Sequence, residues 1–208
     1  MKKLIYFVLL GSVLLLMSAC ESDGNFNVIN RTSYPIYTSV EGGNIVTVPA
    51  GENHVFEVET GKQSFLTGEV SKRVPVYLVG ETFSLHDKDL NEYVDNTIVT
   101  IKAGKTTNAY LAPNRASIKI VNNREERISR VQISQVSPTT NIIVGTIEDI
   151  PAGASHWKRV KYATLQDNFI YRLEIWLDGV EYPVNLDAPA VLGKDEQWLV
   201  NVDPPENR

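Results

Sequence analysis

From Phe26 onward the apolar residues fall mostly on alternate positions: Phe26 and Val28, then Val55 or Phe56 with Val58, then Val74, Val76 and Leu78. The same spacing returns in Ile118 and Ile120 and again in Leu173, Ile175 and Leu177. Successive side chains of an extended chain point to opposite faces, so a period of two marks strands with one buried face. Between the runs stand Glu41-Gly42-Gly43, Thr60-Gly61-Lys62, Asp178-Gly179 and two copies of Pro-Ala-Gly, at 49–51 and 151–153. Glycine tolerates positive φ and proline presets the first turn angle, so each reads as a reversal. Asp178-Gly179 is expected to join 173–177 to 180–184 as a hairpin. No stretch after residue 20 sustains a helical period. Leu85 to Val94 reads as a short helical turn or equally as a polar loop.

The pattern also repeats on a larger scale. Phe26-Asn27-Val28-Ile29-Asn30 matches Ile118-Lys119-Ile120-Val121-Asn122, and Val48-Pro49-Ala50-Gly51-Glu52-Asn53-His54 matches Ile150-Pro151-Ala152-Gly153-Ala154-Ser155-His156. Ile101-Lys102-Ala103-Gly104-Lys105 resembles Val191-Leu192-Gly193-Lys194, each just before a final strand. Matches in the same order, roughly 90 to 100 residues apart, suggest a tandem duplication of a small domain rather than a solenoid repeat. The offset grows between the first and second matches, which predicts an insertion around Ser137 to Gly145 in the second copy. Several short strands per copy predict an all-β fold of two tandem immunoglobulin-like β-sandwich domains, residues 26–113 and 114–208.

Ahead of these domains the pattern is different. Lys2 and Lys3 precede a predominantly apolar segment from Leu4 to Leu16 with one glycine and one serine in it, the parts of a secretory signal peptide. As a helix those residues span roughly 20 Å, short of the roughly 30 Å of a bilayer core. The run ends Leu14-Leu15-Leu16-Met17-Ser18-Ala19-Cys20, with the only cysteine of the chain after two small residues. This resembles the lipobox of bacterial lipoproteins, with Met17 where leucine is preferred. The resemblance implies a diacylglyceryl group on the Cys20 sulfur, cleavage before Cys20 and acylation of the new amine. Residues 1–19 are then a lipoprotein signal peptide and 20–25 a lipidated tether, and the product is an exported, membrane-anchored protein of the cell envelope, periplasmic or at the cell surface. The alternative reading leaves Cys20 as the last residue of an ordinary signal, cut elsewhere. One cysteine forms no internal disulfide, and lipidation accounts for an odd one. Two or three acyl chains hold durably where one holds marginally.

The charge balance bears on partners. The chain has 20 basic and 25 acidic residues, and losing Lys2 and Lys3 leaves 18 against 25, a balance of −7. That sign argues against nucleic acid and against an electrostatic grip on anionic lipid, leaving the acyl chains to hold the membrane.

No stretch carries a strong catalytic signature, and a non-catalytic binding or structural role without a cofactor is expected. Gly104-Lys105-Thr106 has the tail of a phosphate loop, but no glycine precedes it at the required spacing and its flanks read as strands. Ser155-His156-Trp157-Lys158 fits Ser-x-x-Lys, a geometry that needs a helix and fails on a strand. His86, Asp87 and Asp89 are the hard-metal candidates; without the spacing and glycine of an EF-hand they read more readily as a solvated loop. His54 and His156 hold matched places in the two copies, which suggests a repeated structural role.

The aromatic residues are more informative. Trp157, Trp176 and Trp198 all lie in the second copy. With Leu173, Ile175 and Leu177 on one face of their strand, Arg172, Glu174 and Trp176 share the other. A flat indole among charged groups suits a glycan or protein partner. Trp157, beside Arg159 and Lys161, is the second candidate ligand-binding aromatic. The competing reading has Trp176 packed under the other domain or under the insertion near Ser137.

Overall fold

In the computed structural model, which describes residues 21–63, 68–164 and 166–204, the chain is built of strands, and no helix occurs among the described residues. The signal-like segment and Cys20 lie outside the described residues. The chain divides into two compact units. The first takes the described residues up to Arg31 together with Tyr37–Leu78 and Leu85–Leu111; the second takes Thr32–Ile36, Val79–Ser84 and the chain from Ala112.

The N-terminal half carries β1 (Glu21–Asn30), β2 (Ile36–Val40), β3 (Val46–Val48), β4 (Asn53–Gln63), β5 (Ser71–Gly80), β6 (Leu85–Asp87), β7 (Glu92–Val94), β8 (Asn96–Lys102) and β9 (Thr106–Leu111). One sheet has the order β4-β1-β9, the other β3-β2-β5-β8, and β6 and β7 form a separate hairpin. The C-terminal half carries β10 (Ala116–Asn122), β11 (Ile128–Val136), β12 (Asn141–Ile150), β13 (Ser155–Val160), β14 (Ile170–Leu177), β15 (Val184–Asp187) and β16 (Gln197–Val202). Its sheets are β13-β10-β16 and β12-β11-β14-β15, the same order again. In each copy the first strand runs antiparallel to the fourth and parallel to the last.

The fold is therefore all-β, with paired sheets closing on an apolar core. In the second unit Ile118 and Ile120 of one sheet meet Ile133, Leu173 and Ile175 of the other in a single buried cluster. Phe26, Val28, Val58, Val74 and Val76 are the buried counterparts in the first. Phe26 stacks on Phe56 with ring centroids 6.5 Å apart, so Phe56 rather than the exposed Val55 is the inward residue. The architecture is immunoglobulin-like, but the wiring differs. Lettered A to G, the strands form D-A-G and C-B-E-F, where antibody constant domains have A-B-E-D and C-F-G.

The two copies share hydrogen bonds as well as strand order. Asn30 N–H donates to Glu52 O and Arg31 N–H to Leu111 O; Asn122 N–H donates to Ala154 O and Asn123 N–H to Val202 O, all at 2.9–3.0 Å. Each Pro-Ala-Gly is a turn, with Glu52 N–H on Pro49 O and Ala154 N–H on Pro151 O, and with Gly51 and Gly153 at φ +75° and +70°. A buried asparagine at the end of each first strand fastens this turn. Asn30 Nδ2 donates to Val48 O and Pro49 O at 3.0 Å, and Asn122 Nδ2 to Ile150 O at 3.0 Å and Glu126 O at 2.9 Å.

Several expectations need correction. Glu21 to Asn25, expected as a tether, belong to β1: Gly24 is buried and Asp23 and Asn25 face outward, and pairing with β4 starts at Glu21. Thr60-Gly61-Lys62 is no reversal, because β4 runs through it; the register shifts between Glu21 and Asp23, opposite this stretch, and Gly61 takes φ +102°. Leu85 to Val94 is neither helix nor open loop but the β6–β7 hairpin. At Asp178-Gly179 the chain does turn, with Val180 N–H on Leu177 O at 3.2 Å, yet β15 starts only at Val184, opposite Ile175. Ser137 to Gly145, the expected place of an insertion, fall in the β11–β12 hairpin, whose strands are the longer: β2 and β3 have 5 and 3 residues, β11 and β12 have 9 and 10.

Replacing Asn122 with alanine strands buried carbonyl groups and is expected to destabilise the second unit by about 1–3 kcal/mol. A urea midpoint lowered at unchanged slope checks it.

Candidate functional site

β14 alternates without a fault: Tyr171, Leu173, Ile175 and Leu177 are buried, while Arg172, Glu174 and Trp176 are half-buried on the outer face. Its neighbours β11 and β15 complete that face. The register sets Trp176 beside Arg130, Glu174 between Gln132 and Asn185, and Arg172 between Ser134 and Asp187. Arg172 holds Asp187 with two bonds, Nε to Oδ1 at 2.6 Å and Nη2 to Oδ2 at 3.0 Å. Gln132 Nε2 donates to Glu174 Oε2 at 3.3 Å. Arg172, Glu174, Asn185 and Asp187 line a shallow depression of about 350 Å³.

Trp176 is half-buried on the outer face of β14. The Arg130 guanidinium lies over its ring, 3.9 Å from the centroid. Such a cation–π contact is worth about 0.5–1 kcal/mol at an exposed site. The Arg172–Asp187 pair is also substantially exposed, so it adds little stability while fixing both side chains in place. Arg172 holds the Asp187 carboxyl below the usual range, chiefly by hydrogen bonding.

Trp157 lies on β13, in the other sheet of the second unit, opposite Lys119. The structure therefore brings Trp176, Arg172 and Glu174 together and leaves Trp157 apart. Arg159 sits 5.8 Å from the Trp157 ring and donates to Phe83 O at 3.1 Å. Trp198, on β16, packs partly buried against the core.

The other sequence candidates have structural places. Gly104-Lys105-Thr106 lies at the β8–β9 turn, with Lys105 N–H on Lys102 O at 3.1 Å. Ser155 to Lys158 are strand residues of β13. The Asp87 carboxylate accepts the N–H groups of Asp89 at 2.9 Å and Leu90 at 3.1 Å, capping the hairpin turn, and His86 packs edge-on to Tyr93. His54 and His156 pair with Val28 and Ile120, matched positions on the two first strands. Among the described residues no group of three or more His, Cys, Asp and Glu side chains converges as a metal site would require.

Sequence reasoning missed a polar cluster in the second unit, built on residues 79–84. The Glu81 side chain is wholly buried, with Lys119 Nζ at 3.0 Å from Oε1 and Gln197 Nε2 donating to Oε2. Gln197 Nε2 also donates to Ser117 Oγ at 2.8 Å. Beside it, Asp195 accepts from Thr82 Oγ1 at 2.6 Å and from Ser33 N–H and Oγ at 2.9 and 2.8 Å. A buried charge is tolerated when paired and hydrogen-bonded, and here the carboxylates meet donors on several elements. The arrangement is a clasp rather than an open site. No signal in Gly80-Glu81-Thr82 sets it apart from an ordinary loop.

Near the core, burial pushes the Tyr171 phenol up, and its hydroxyl donates to Lys161 O at 2.6 Å. Asp167 lies at the opposite extreme. Thr164 N–H and hydroxyl, with Lys161, hold its carboxyl down to about 2. A depressed carboxyl contributes stability that is complete above the ordinary value of 3.8 and is lost as pH falls towards 2. Asp167→Asn is expected to flatten the pH dependence of stability in that window, as measured by thermal melts. Arg130→Ala uncovers the indole, so acrylamide quenching of Trp176 fluorescence should rise in a chain lacking the other two tryptophans.

No protein-family model matches the chain, and no curated protein matches it. Among solved structures it is similar to the Bacillus anthracis TIE protein, at 11% identity and a TM-score of 0.31 over 88% of this chain and 34% of that one. The chain thus spans about a third of that protein's length. It is also similar to a Bacteroides ovatus protein provisionally designated a cell adhesion protein, at 10% identity and a TM-score of 0.35 over 88% and 92% of the two chains. A third likeness is to GBS52, the minor pilin of Streptococcus agalactiae, at 7% identity and a TM-score of 0.27 over 89% and 98%. At these scores the sandwich assignment rests on the chain's own strands.

Proposed function

We propose that the chain is an exported bacterial lipoprotein, acylated on Cys20, that serves in the cell envelope as a non-catalytic binding or structural module. The observation that carries this reading is the succession of an apolar segment, Ser18-Ala19, a lone Cys20 and then strand residues starting at Glu21. The acyl chains hold the membrane, which the net negative charge would not do. The partner is an envelope protein or a glycan, met by exposed sheet surface rather than by a deep cleft.

A second reading, a carbohydrate-binding lipoprotein, is favoured by one feature: the depression lined by Arg172, Glu174, Asn185 and Asp187 lies on the face that carries Trp176. Hydrogen-bonding side chains next to an indole suit a sugar. This reading uses Trp176 and its neighbours without Trp157.

Mass spectrometry of the protein purified from bacterial membranes should find an amino-terminal acylated cysteine. Cys20→Ser should abolish fatty-acid incorporation and release the chain from the membrane fraction; an unmodified terminus on the native protein would contradict the anchor. For the second reading, Trp176→Ala should remove retention on immobilised glycans with the melting temperature nearly unchanged. Equal retention of both forms counts against it.

A further inference from the structure

We infer that the first unit stands end-on against the lipid headgroup layer, with the end where β1 begins, and Lys102 and Lys105 on it, facing the membrane. This rests on acylation of Cys20. What is new is the orientation, and it follows from the absence of slack. Glu21, the residue after Cys20, is already paired with Gln63 of β4. One residue of extended chain reaches no more than about 3.6 Å.

The start of β1 is stitched into the body of the unit. Gly104 N–H donates to Asp23 O at 2.8 Å and Asn25 N–H to Lys105 O at 2.9 Å, and the β8–β9 turn is itself tied down by Ala103 N–H on Val70 O at 3.0 Å. Gly24 packs so closely on Lys102 O and Ile101 that a side chain there has no room. Asp23 to Asn25 therefore move with the β8–β9 turn as one body.

That turn presents Lys102 and Lys105, whose ammonium groups bracket the exposed Glu69 carboxylate at 3.1 and 2.7 Å. Two ammonium groups thus meet one carboxylate at this turn. Exposed pairs of this kind are cheap to rearrange, so headgroup phosphates can share the two lysines. Asp23, whose carbonyl accepts from Gly104, and Glu59 opposite it lie beside the turn and oppose any strong electrostatic attraction. The acyl chains supply the affinity, and the strand pairing sets the pose.

β1 also provides a ruler. From Asn25, whose N–H is bonded to Lys105 O, it runs about 17 Å to Asn30, and Asn30 is bonded to Pro49, next to Ala50. Ala50 and Lys105 are thus at opposite ends of the first unit.

The test uses the full acylated chain in vesicles of phosphatidylethanolamine and phosphatidylglycerol containing lipid with a headgroup nitroxide. Because the Cys20 sulfur is blocked, Lys105→Cys and Ala50→Cys each carry a single site for a fluorophore. Lys102→Cys repeats the measurement should Lys105→Cys fold poorly. Quenching several-fold stronger at 105, or at 102, than at 50 is expected. Equal quenching at both ends, or stronger quenching at 50, overturns the orientation and leaves the anchor standing. Chain recovered without acyl groups overturns the anchor, and the orientation with it.

Discussion

The first strand of each unit lies in the middle of its sheet and is hydrogen-bonded on both sides, and the rest of the sandwich is arranged around it. β1 has β4 antiparallel on one flank and β9 parallel on the other; β10 has β13 and β16 in the same places. Phe26 and Val28, or Ile118 and Ile120, project from this strand into the core with 0% exposure. The asparagine at its end then fastens the Pro-Ala-Gly turn that leads into the fourth strand. A strand paired on both edges has no free backbone to offer a stray partner. The second unit does have an uncharged edge, Ile142 to Val144 on β12, and the register shift there interrupts a continuous ladder.

What could be read from the sequence was whatever depends on the periodicity of a single strand. The faces of β14 follow from Leu173, Ile175 and Leu177, and both Pro-Ala-Gly turns follow from residue chemistry. Asn30 and Asn122 closed the matched strings, although only the fold reveals that each is a buried clamp. The first residues of β1 were hidden because their inward position is Gly24. With no apolar side chain to mark the face, a strand looks like a tether, and the reason for the glycine is a contact with β8 more than seventy residues away in the chain. Gly61 misled in the opposite direction, since positive φ serves an irregularity within a strand as well as it serves a turn.

Of the candidate site, Trp176, Arg172 and Glu174 were legible as one face, because they share one strand. The grouping of Trp157 with them failed for want of sheet assignment, which no local pattern carries. The Arg130 cover on Trp176 depends on register between β11 and β14. The Glu81 clasp was beyond reach altogether: Lys119 is 38 residues from Glu81 along the chain and Gln197 is 116. A burial so distant in sequence leaves no trace in the loop that carries it.

Parallel pairing of first and last strands also governs when each module can form. Asn27 and Asn108, joined by a 2.9 Å side-chain bond, are 81 residues apart, and Gln197 and Ser117 are 80 apart. Closing a sheet across such a separation is slow, because loop entropy is lost before the contacts repay it. A polypeptide emerging amino end first, as every chain does from the ribosome, therefore cannot complete either central sheet until nearly all of that module has emerged.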